Sequence, residues 1–306
     1  MELYKKYRPK DFDEIVGQEI AVTTLEASIE QDNIPHAILF TGPSGCGKTT
    51  LARIVRRKLR CSRHDFIEDA PRKIDDVRAI KRRIHQAPMK GKCRVWFIDE
   101  CHKLTGDAQD EFLKMLEDTP KHVYFLLATA EPNKLKNTFR GRPTEIVVKL
   151  LDDDDILKVL DYICKEEDKE IPNEVVKKII DNSEGSARKA LVFLDSVIKL
   201  ESKKEQLNAI MTQTAELQAF EIVRALLYNK KTTWKEMVAI LKATEVEDPE
   251  RIRWLILSCC KTEMLKAGKF SGRAYIIIQA FCDNFFDSKM AGLVAACYEV
   301  IEGDSN

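Results

Sequence analysis

An α/β fold on a five-stranded parallel sheet, continuing into helices alone, is the architecture this sequence predicts. Three observations predict it. Short apolar runs alternate with helix-period segments as far as Leu150, a loop of the form G-x-x-x-x-G-K-T follows the first run, and no strand-like run returns afterwards. Alternation of this kind argues for a sheet covered by helices on both faces.

The elements follow in order. Residues Tyr4, Tyr7, Arg8, Pro9 and Phe12 read as an extended arm and a turn, and a helix is expected over about 19–31. Ala37-Ile38-Leu39-Phe40 is the first strand, Gly42-Pro43-Ser44-Gly45-Cys46-Gly47-Lys48-Thr49 the loop, and 50–60 a helix-forming run. The remaining strands are His64-Asp65-Phe66-Ile67, Arg94-Val95-Trp96-Phe97-Ile98, Val123-Tyr124-Phe125-Leu126-Leu127 and Glu145-Ile146-Val147-Val148. Ile74, Val77, Ile80 and Ile84 lie on one face of a helix between the second and third strands. Asp152-Asp153-Asp154-Asp155 opens another helix, as acids near an N-terminus should, and Ser186 is placed to cap the helix carrying Arg188. From about Gln206 the pattern is helical, with Ile222, Leu226, Leu227, Trp254, Leu255 and Leu257 on apolar faces. Such a tail is either a self-contained bundle or one that packs on neighbouring subunits.

Composition narrows the class. The 306 residues are 44% hydrophobic and 33% charged, which fits a globular protein rich in helix with two or three domains. No run of about 18 apolar residues exists, so no membrane partner is expected. The start, Met1-Glu2-Leu3-Tyr4-Lys5-Lys6, lacks the apolar core of a signal peptide. Nine cysteines without a C-x-x-C pair suggest reduced thiols in a cytoplasm, whether of a cell or of a virus's host, or in a nucleus if the source is eukaryotic. Adjacent Cys259 and Cys260 read as packing residues. The net charge is zero, yet 51–94 carries fifteen Lys/Arg against five Asp/Glu, a footprint that suits a polyanion. Over 152–184 twelve acids face five lysines, which reads as solvated helix surface.

The loop carries the chemistry. Between a strand and a helix, its glycines let backbone N–H groups curl around a triphosphate, and the helix N-terminus adds its positive dipole end. Gly42, Gly45, Cys46, Gly47, Lys48, Thr49 and Thr50 are therefore candidate nucleotide contacts. Lys48 would reach the β- and γ-phosphates, and the Thr49 hydroxyl would hold Mg²⁺. The third strand delivers Asp99 and Glu100 at its tip, Asp99 to help hold hydrated Mg²⁺ and Glu100 to polarise the attacking water. Downstream of such a loop, this pair points to hydrolysis rather than binding alone. Arg78 and Arg82 stand at i and i+4 on the helix after the second strand, sharing a face with His85. Either they follow a phosphate backbone without reading sequence, or they are a solvated basic face.

Taken together, these motifs resemble the ATPase subunits of sliding-clamp loaders, within the AAA+ superfamily, of the replication factor C small-subunit and bacterial gamma–tau type. The likeness covers most of the first 200 residues. Tyr7-Arg8-Pro9 with Ile15-Val16-Gly17-Gln18 is similar to the arm that borders the adenine, which implies contacts from Tyr7, Arg8 and Val16. Pro35-His36, the loop, and Asp99-Glu100-Cys101-His102 also match. Leu126-Leu127-Ala128-Thr129 resembles the sensor-1 strand and places Thr129 near the γ-phosphate. Gly185-Ser186-Ala187-Arg188 is similar to sensor 2 and places Arg188 on the nucleotide. The 73–81 stretch resembles the helix that faces primer–template DNA, which implicates Lys73, Arg78, Lys81 and Arg82.

Two departures stand out. The Ser-Arg-Cys motif of the trans-acting arginine finger is here Gly141-Arg142-Pro143, so Arg142 is the favoured catalytic finger, with Arg140 close enough to compete. The bacterial four-cysteine zinc module is absent from the region where Cys61 stands alone, so no structural zinc is expected.

The resemblance implies a sheet of order 5-1-4-3-2 in an ATPase domain over 1–151, a small helical lid over 152–204 and a helical collar over 205–306. It implies an ATPase that uses ATP and Mg²⁺, with Glu100, Lys48 and Arg142 as its catalytic residues. The implied partners are other loader subunits in a homo- or hetero-oligomeric ring or spiral of five, the clamp, and primed DNA. A branch-migration helicase of the same superfamily fits the arm and collar less well. A DExH helicase would need a second sheet. A non-catalytic scaffold subunit would not need Lys48, Thr49, Asp99 and Glu100 intact.

Overall fold

In the computed structural model, residues 2–229, 232–243 and 248–303 are described. The parts of the predicted collar at 230–231, 244–247 and 304–306 lie outside them. The chain forms two compact units, Met1–Lys199 and Leu200–Asn306.

The first unit holds five parallel strands: β1 (Ala37–Thr41), β2 (Phe66–Asp69), β3 (Arg94–Ile98), β4 (Val123–Thr129) and β5 (Thr144–Val147). Their order is β2-β3-β4-β1-β5, which is the expected one read from the other edge. Central strands read as unbroken apolar runs because both faces are buried. Ile38, Phe40, Val95, Phe97, Leu126 and Ala128 pack on one side, against residues of α2 (Glu19–Glu30) and α3 (Lys48–Lys58). Leu39, Trp96, Ile98, Phe125 and Leu127 point the other way, onto Val77, Ile80 and Ile84 of α4 (Ile74–Ile84) and Phe112 of α5 (Gly106–Glu117). Alternate residues of each strand thus serve two cores.

Three local expectations change. Part of the arm is helical: Leu3–Lys6 makes a single turn, α1, and buries Leu3. The second strand begins at Phe66 rather than His64 because Asp65 has another role. Its buried carboxylate accepts the Ser62 hydroxyl and the N–H groups of Met89, Lys90 and Gly91. Those bonds hold it well below the usual carboxylate range against the cost of burial. Finally, α3 begins two residues earlier than expected, so Lys48, Thr49 and Thr50 form its first turn.

After the short α6 (Asn137–Arg140) and β5 come α7 (Asp153–Glu166), α8 (Asn173–Ser183) and α9 (Ala187–Val197), which belong to the first unit. Asp152 caps α7 by accepting from Asp155 N–H, and Ser186 caps α9 by accepting from Lys189 N–H. The arm is fastened to these helices. The Tyr7 hydroxyl donates to Glu167 at 2.7 Å, and its ring meets Tyr162 edge-on.

The second unit contains α10 (Lys203–Val223), which runs on into a π-helical turn at Arg224–Tyr228, then α11 (Trp234–Ala243), α12 (Pro249–Leu265), α13 (Ser271–Ala280) and α14 (Met290–Glu302). Ile222, Leu226, Ile256, Ile277, Phe281 and Leu293 share its core. Trp254, expected on an apolar face, is instead 61% exposed, and Ile256 takes the inward position. Cys260 is buried and Cys259 exposed. Among the described residues no helix is long and apolar enough to cross a membrane.

Candidate functional site

The loop between β1 and α3 is shaped by its glycines. Gly42 has φ 151°, and a Cβ there would sit 1.9 Å from the Val148 carbonyl oxygen. Gly45 has φ 80°, and a Cβ would meet the Ser186 hydroxyl at 2.2 Å. No other residue fits either position. Lys48 is buried, and its ammonium donates back across the loop to the carbonyls of Gly42 (2.7 Å) and Pro43 (2.6 Å). Beyond it, the first turn of α3 leaves N–H groups without helical partners.

Asp99 and Glu100 follow β3 on the same side of the sheet. An Asp99 oxygen accepts the Glu100 N–H at 2.9 Å. Glu100 has φ 53° and ψ 42°, a left-handed conformation costing about 1–3 kcal/mol in a residue other than glycine, and such strain gathers at functional sites. Its carboxylate lies 3.4 Å from His102 Nε2 and 3.3 Å from Lys103 Nζ.

One cleft gathers ten of the residues singled out in the sequence: Tyr7, Arg8, Gly45, Gly47, Lys48, Thr49, Thr50, Asp99, Glu100 and Arg188. Its cavity volume is about 140 Å³ and it is open to solvent on one side. Tyr4, Pro9, Ser44, Ala187 and Leu191 complete its lining and were not among the candidate contacts. Helical spacing could have found one of them, since Leu191 lies three residues beyond Arg188 on α9. Tyr4 had no signal beyond its place in the arm; the Arg188 guanidinium lies 6.0 Å over its ring.

The cleft is cationic. Burial, with Arg53 and Arg188 nearby, pushes the Arg8 guanidinium below its ordinary value. Positive groups gathered around one opening, with Lys48 buried, favour an anionic ligand. Thr49 and Asp99 lie on the same cleft, one hydroxyl and one carboxylate. That sparse oxygen donor set fits Mg²⁺, which keeps most of its waters. Among the described residues no group of three or more His, Cys, Asp and Glu is placed to hold a metal ion by itself.

Five of the residues predicted for nucleotide binding or catalysis do not line the cleft. Gly42 acts through its backbone, its N–H donating to the Thr129 carbonyl at 3.2 Å. Cys46 is turned into the core, and burial raises its thiol pKa. Val16 is half-buried beyond the arm. Thr129 is fully buried, its hydroxyl 3.0 Å from His102 Nδ1 and accepting the Glu131 N–H. Arg142 is exposed and paired with Glu117. Its rival Arg140 is committed locally, making two bonds to Glu145 at 2.8 and 3.0 Å while Glu145 also accepts from Thr41.

The basic helix is α4. Asp76 accepts the N–H groups of Arg72 and Lys73 and caps it. Arg78 and Arg82 are exposed; Arg78 lies 3.4 Å from Asp75, and Lys81 lies 3.0 Å from Glu111. Those two charges are partly answered within the chain.

Comparison with known proteins adds the following. Residues 66–152 match the family described as DNA polymerase III, delta subunit, and residues 11–92 the family of magnesium chelatase, subunit ChlI. The chain is 34% identical over 224 residues to the DNA polymerase III subunit gamma/tau of Mycobacterium tuberculosis, covering 65% of this chain and 39% of that protein. It is 32% identical over 252 residues to DNA polymerase III subunit tau of Escherichia coli, covering 74% and 39%. It is also 32% identical over 222 residues to subunit gamma of Buchnera aphidicola, covering 65% and 61%. The chain thus spans less than two thirds of these relatives. Among solved structures, the Thermotoga maritima RuvB Holliday junction branch migration motor superposes with a TM-score of 0.60 at 21% identity, covering 79% of this chain and 86% of that one. That likeness shows a shared fold.

Proposed function

We propose that the chain belongs to the sliding-clamp-loader family of AAA+ ATPases and hydrolyses ATP to open a sliding clamp and load it onto primer–template DNA. The observation that carries the reading is the convergence on one cationic cleft of the arm, the glycine loop, the Asp99–Glu100 pair and Arg188.

Each group has a role. Tyr7, Arg8 and Val16 border the base, while the backbone of residues 45–50 receives the phosphates. Lys48 leaves its carbonyl partners for the β- and γ-phosphates, a trade of neutral acceptors for charged ones. Thr49 and Asp99 hold Mg²⁺, which supplies positive charge against the phosphate oxygens. Glu100 orients and polarises the attacking water. Arg188 contacts the nucleotide from α9, and Thr129 senses the γ-phosphate. Arg142 acts in trans on a neighbouring subunit's nucleotide, leaving its exposed pairing with Glu117; it is favoured as the finger because it is the more exposed of the two arginines.

The division into an ATPase domain to 151, a lid to 204 and a collar beyond belongs to the same reading, as does assembly into a five-membered ring or spiral in the cytoplasm. Lys73, Arg78, Lys81 and Arg82 follow the DNA backbone, and DNA binding completes the catalytic geometry.

The test is ATP turnover of the purified protein, alone and with primed DNA plus candidate clamp and accessory subunits. Turnover that rises with DNA and clamp supports the proposal. No turnover in any combination contradicts it.

A further inference from the structure

We propose that His102 is a positioning residue for this hydrolysis, tying the Glu100 carboxylate to the Thr129 hydroxyl. The inference rests on the ATPase reading above. His102 follows β3 and reaches across to the end of β4, the neighbouring strand. Its side chain is only 6% exposed, yet both ring nitrogens face side chains of the candidate site rather than backbone carbonyls. Nδ1 lies 3.0 Å from Thr129 Oγ1, while Nε2 lies 3.4 Å from Glu100 Oε2 and 3.2 Å from Glu131 Oε1.

The geometry restricts the protons. Thr129 Oγ1 already accepts the Glu131 N–H at 3.0 Å, and the hydroxyl has one proton to give. When that proton goes to Nδ1, a neutral ring carries its own on Nε2 and turns it toward the Glu100 and Glu131 carboxylates, 3.4 and 3.2 Å away. When the hydroxyl donates to another acceptor, such as a phosphate oxygen, Nδ1 must become the donor to Oγ1. A neutral ring then turns a bare Nε2 toward Glu100, and attraction becomes repulsion. The ring loses one N–H and gains the other by exchange with water, so its proton count is unchanged. The hydrogen-bond state of Thr129 thereby sets the hold on Glu100. The strained backbone of Glu100 fixes the root of that side chain, leaving its direction to His102 and Lys103.

The experiment measures steady-state turnover and ATP affinity of the full chain, under whichever conditions stimulate the wild type. The variants are His102→Ala, His102→Asn, His102→Gln, Thr129→Val and the His102→Ala/Thr129→Val pair. Expected for His102→Ala is a fall in kcat of about tenfold or more, with KM and ATP affinity within about twofold. An Asn amide stands in for Nδ1 and a Gln amide for Nε2, so each keeps one half of the link and neither restores the rate. Because both residues act through one link, the double variant falls no further than the worse single. His102→Ala with kcat within about twofold of wild type, full rate in the Asn or Gln variant, or losses that multiply would each overturn the inference. Should the Ala variant fail to fold, the Asn and Gln variants decide by the same criteria. A wild-type chain without turnover sinks the ATPase reading and this inference together. An active wild type with an active His102→Ala variant sinks this inference alone.

Discussion

Charge is treated differently in the core of the second compact unit and around the cleft of the first. In the second, Glu250 and Arg253 are nearly buried and closed on each other at 2.6 Å. Their remaining groups are satisfied too, with Glu250 accepting the Phe285 N–H and Arg253 donating to the Phe281 carbonyl. In the first, Arg8, Lys48 and Arg188 surround a cleft, and Lys48 finds only neutral partners, two carbonyls and the Cys46 thiol. A charge closed by its own chain fixes a fold, whereas charges left open toward a cavity are prepared for a ligand. The contrast separates a structural ion pair from a candidate site where burial alone would not.

The sharpest way to break that contrast is to open the closed pair. Glu250→Gln leaves Arg253 buried without a counter-charge and should destabilise by roughly 3–5 kcal/mol in denaturant unfolding. Arg8→Ala should cost about 1 kcal/mol or less, while weakening ATP binding. The pH dependence has the matching sign. Arg253 holds the Glu250 carboxyl below its ordinary value, so its stabilisation is present above the unfolded carboxyl's pKa and is lost as pH falls through the lower folded one. Acid unfolding of Glu250→Gln should lack that contribution; an unchanged acid limb would contradict it.

Next in size is the catalytic carboxylate. Glu100→Gln should keep nucleotide affinity and lose turnover by about a hundredfold or more. Turnover within a fewfold of wild type would remove Glu100 from the mechanism. The two arginines, two residues apart, are both ion-paired, Arg140 with Glu145 and Arg142 with Glu117, so turnover must separate them. Arg142→Ala should lose turnover by about tenfold or more, yet recover part of it when mixed with Lys48→Ala protein, because each supplies what the other lacks at mixed interfaces. Arg140→Ala should act through stability. Loss of turnover from Arg140→Ala alone would reverse the assignment.

Smallest is the effect on α4. Removing Arg82 should flatten the salt dependence of DNA affinity by roughly one unit in slope, equally for every primer–template sequence. An unchanged slope would make this helix a solvated face.

The sequence was most readable where one element imposes one pattern. Strand β3 runs from Arg94 to Ile98 as its unbroken apolar run required, and the loop leads into a helix as its spacing required, two residues sooner than expected. It was least readable where distant segments meet. Asp65 had the look of a strand residue, but its carboxylate is held by N–H groups more than twenty residues away. Tyr4 gave no hint that it would reach the cleft, since nothing local brings it to Arg188. Trp254 and Ile256 both suited an apolar helix face, and only packing against α13 and α14 decided which turned inward.

The central claim is that the open cationic cleft of the first unit holds the triphosphate. Titration of a fluorescent ATP analogue with Mg²⁺ into the wild type and Lys48→Ala, at matched stability, tests it most directly. The account predicts saturable binding to the wild type and a loss of about tenfold or more in affinity for the variant, because the phosphates lose their buried counter-charge. Equal affinities would show that the nucleotide is held elsewhere.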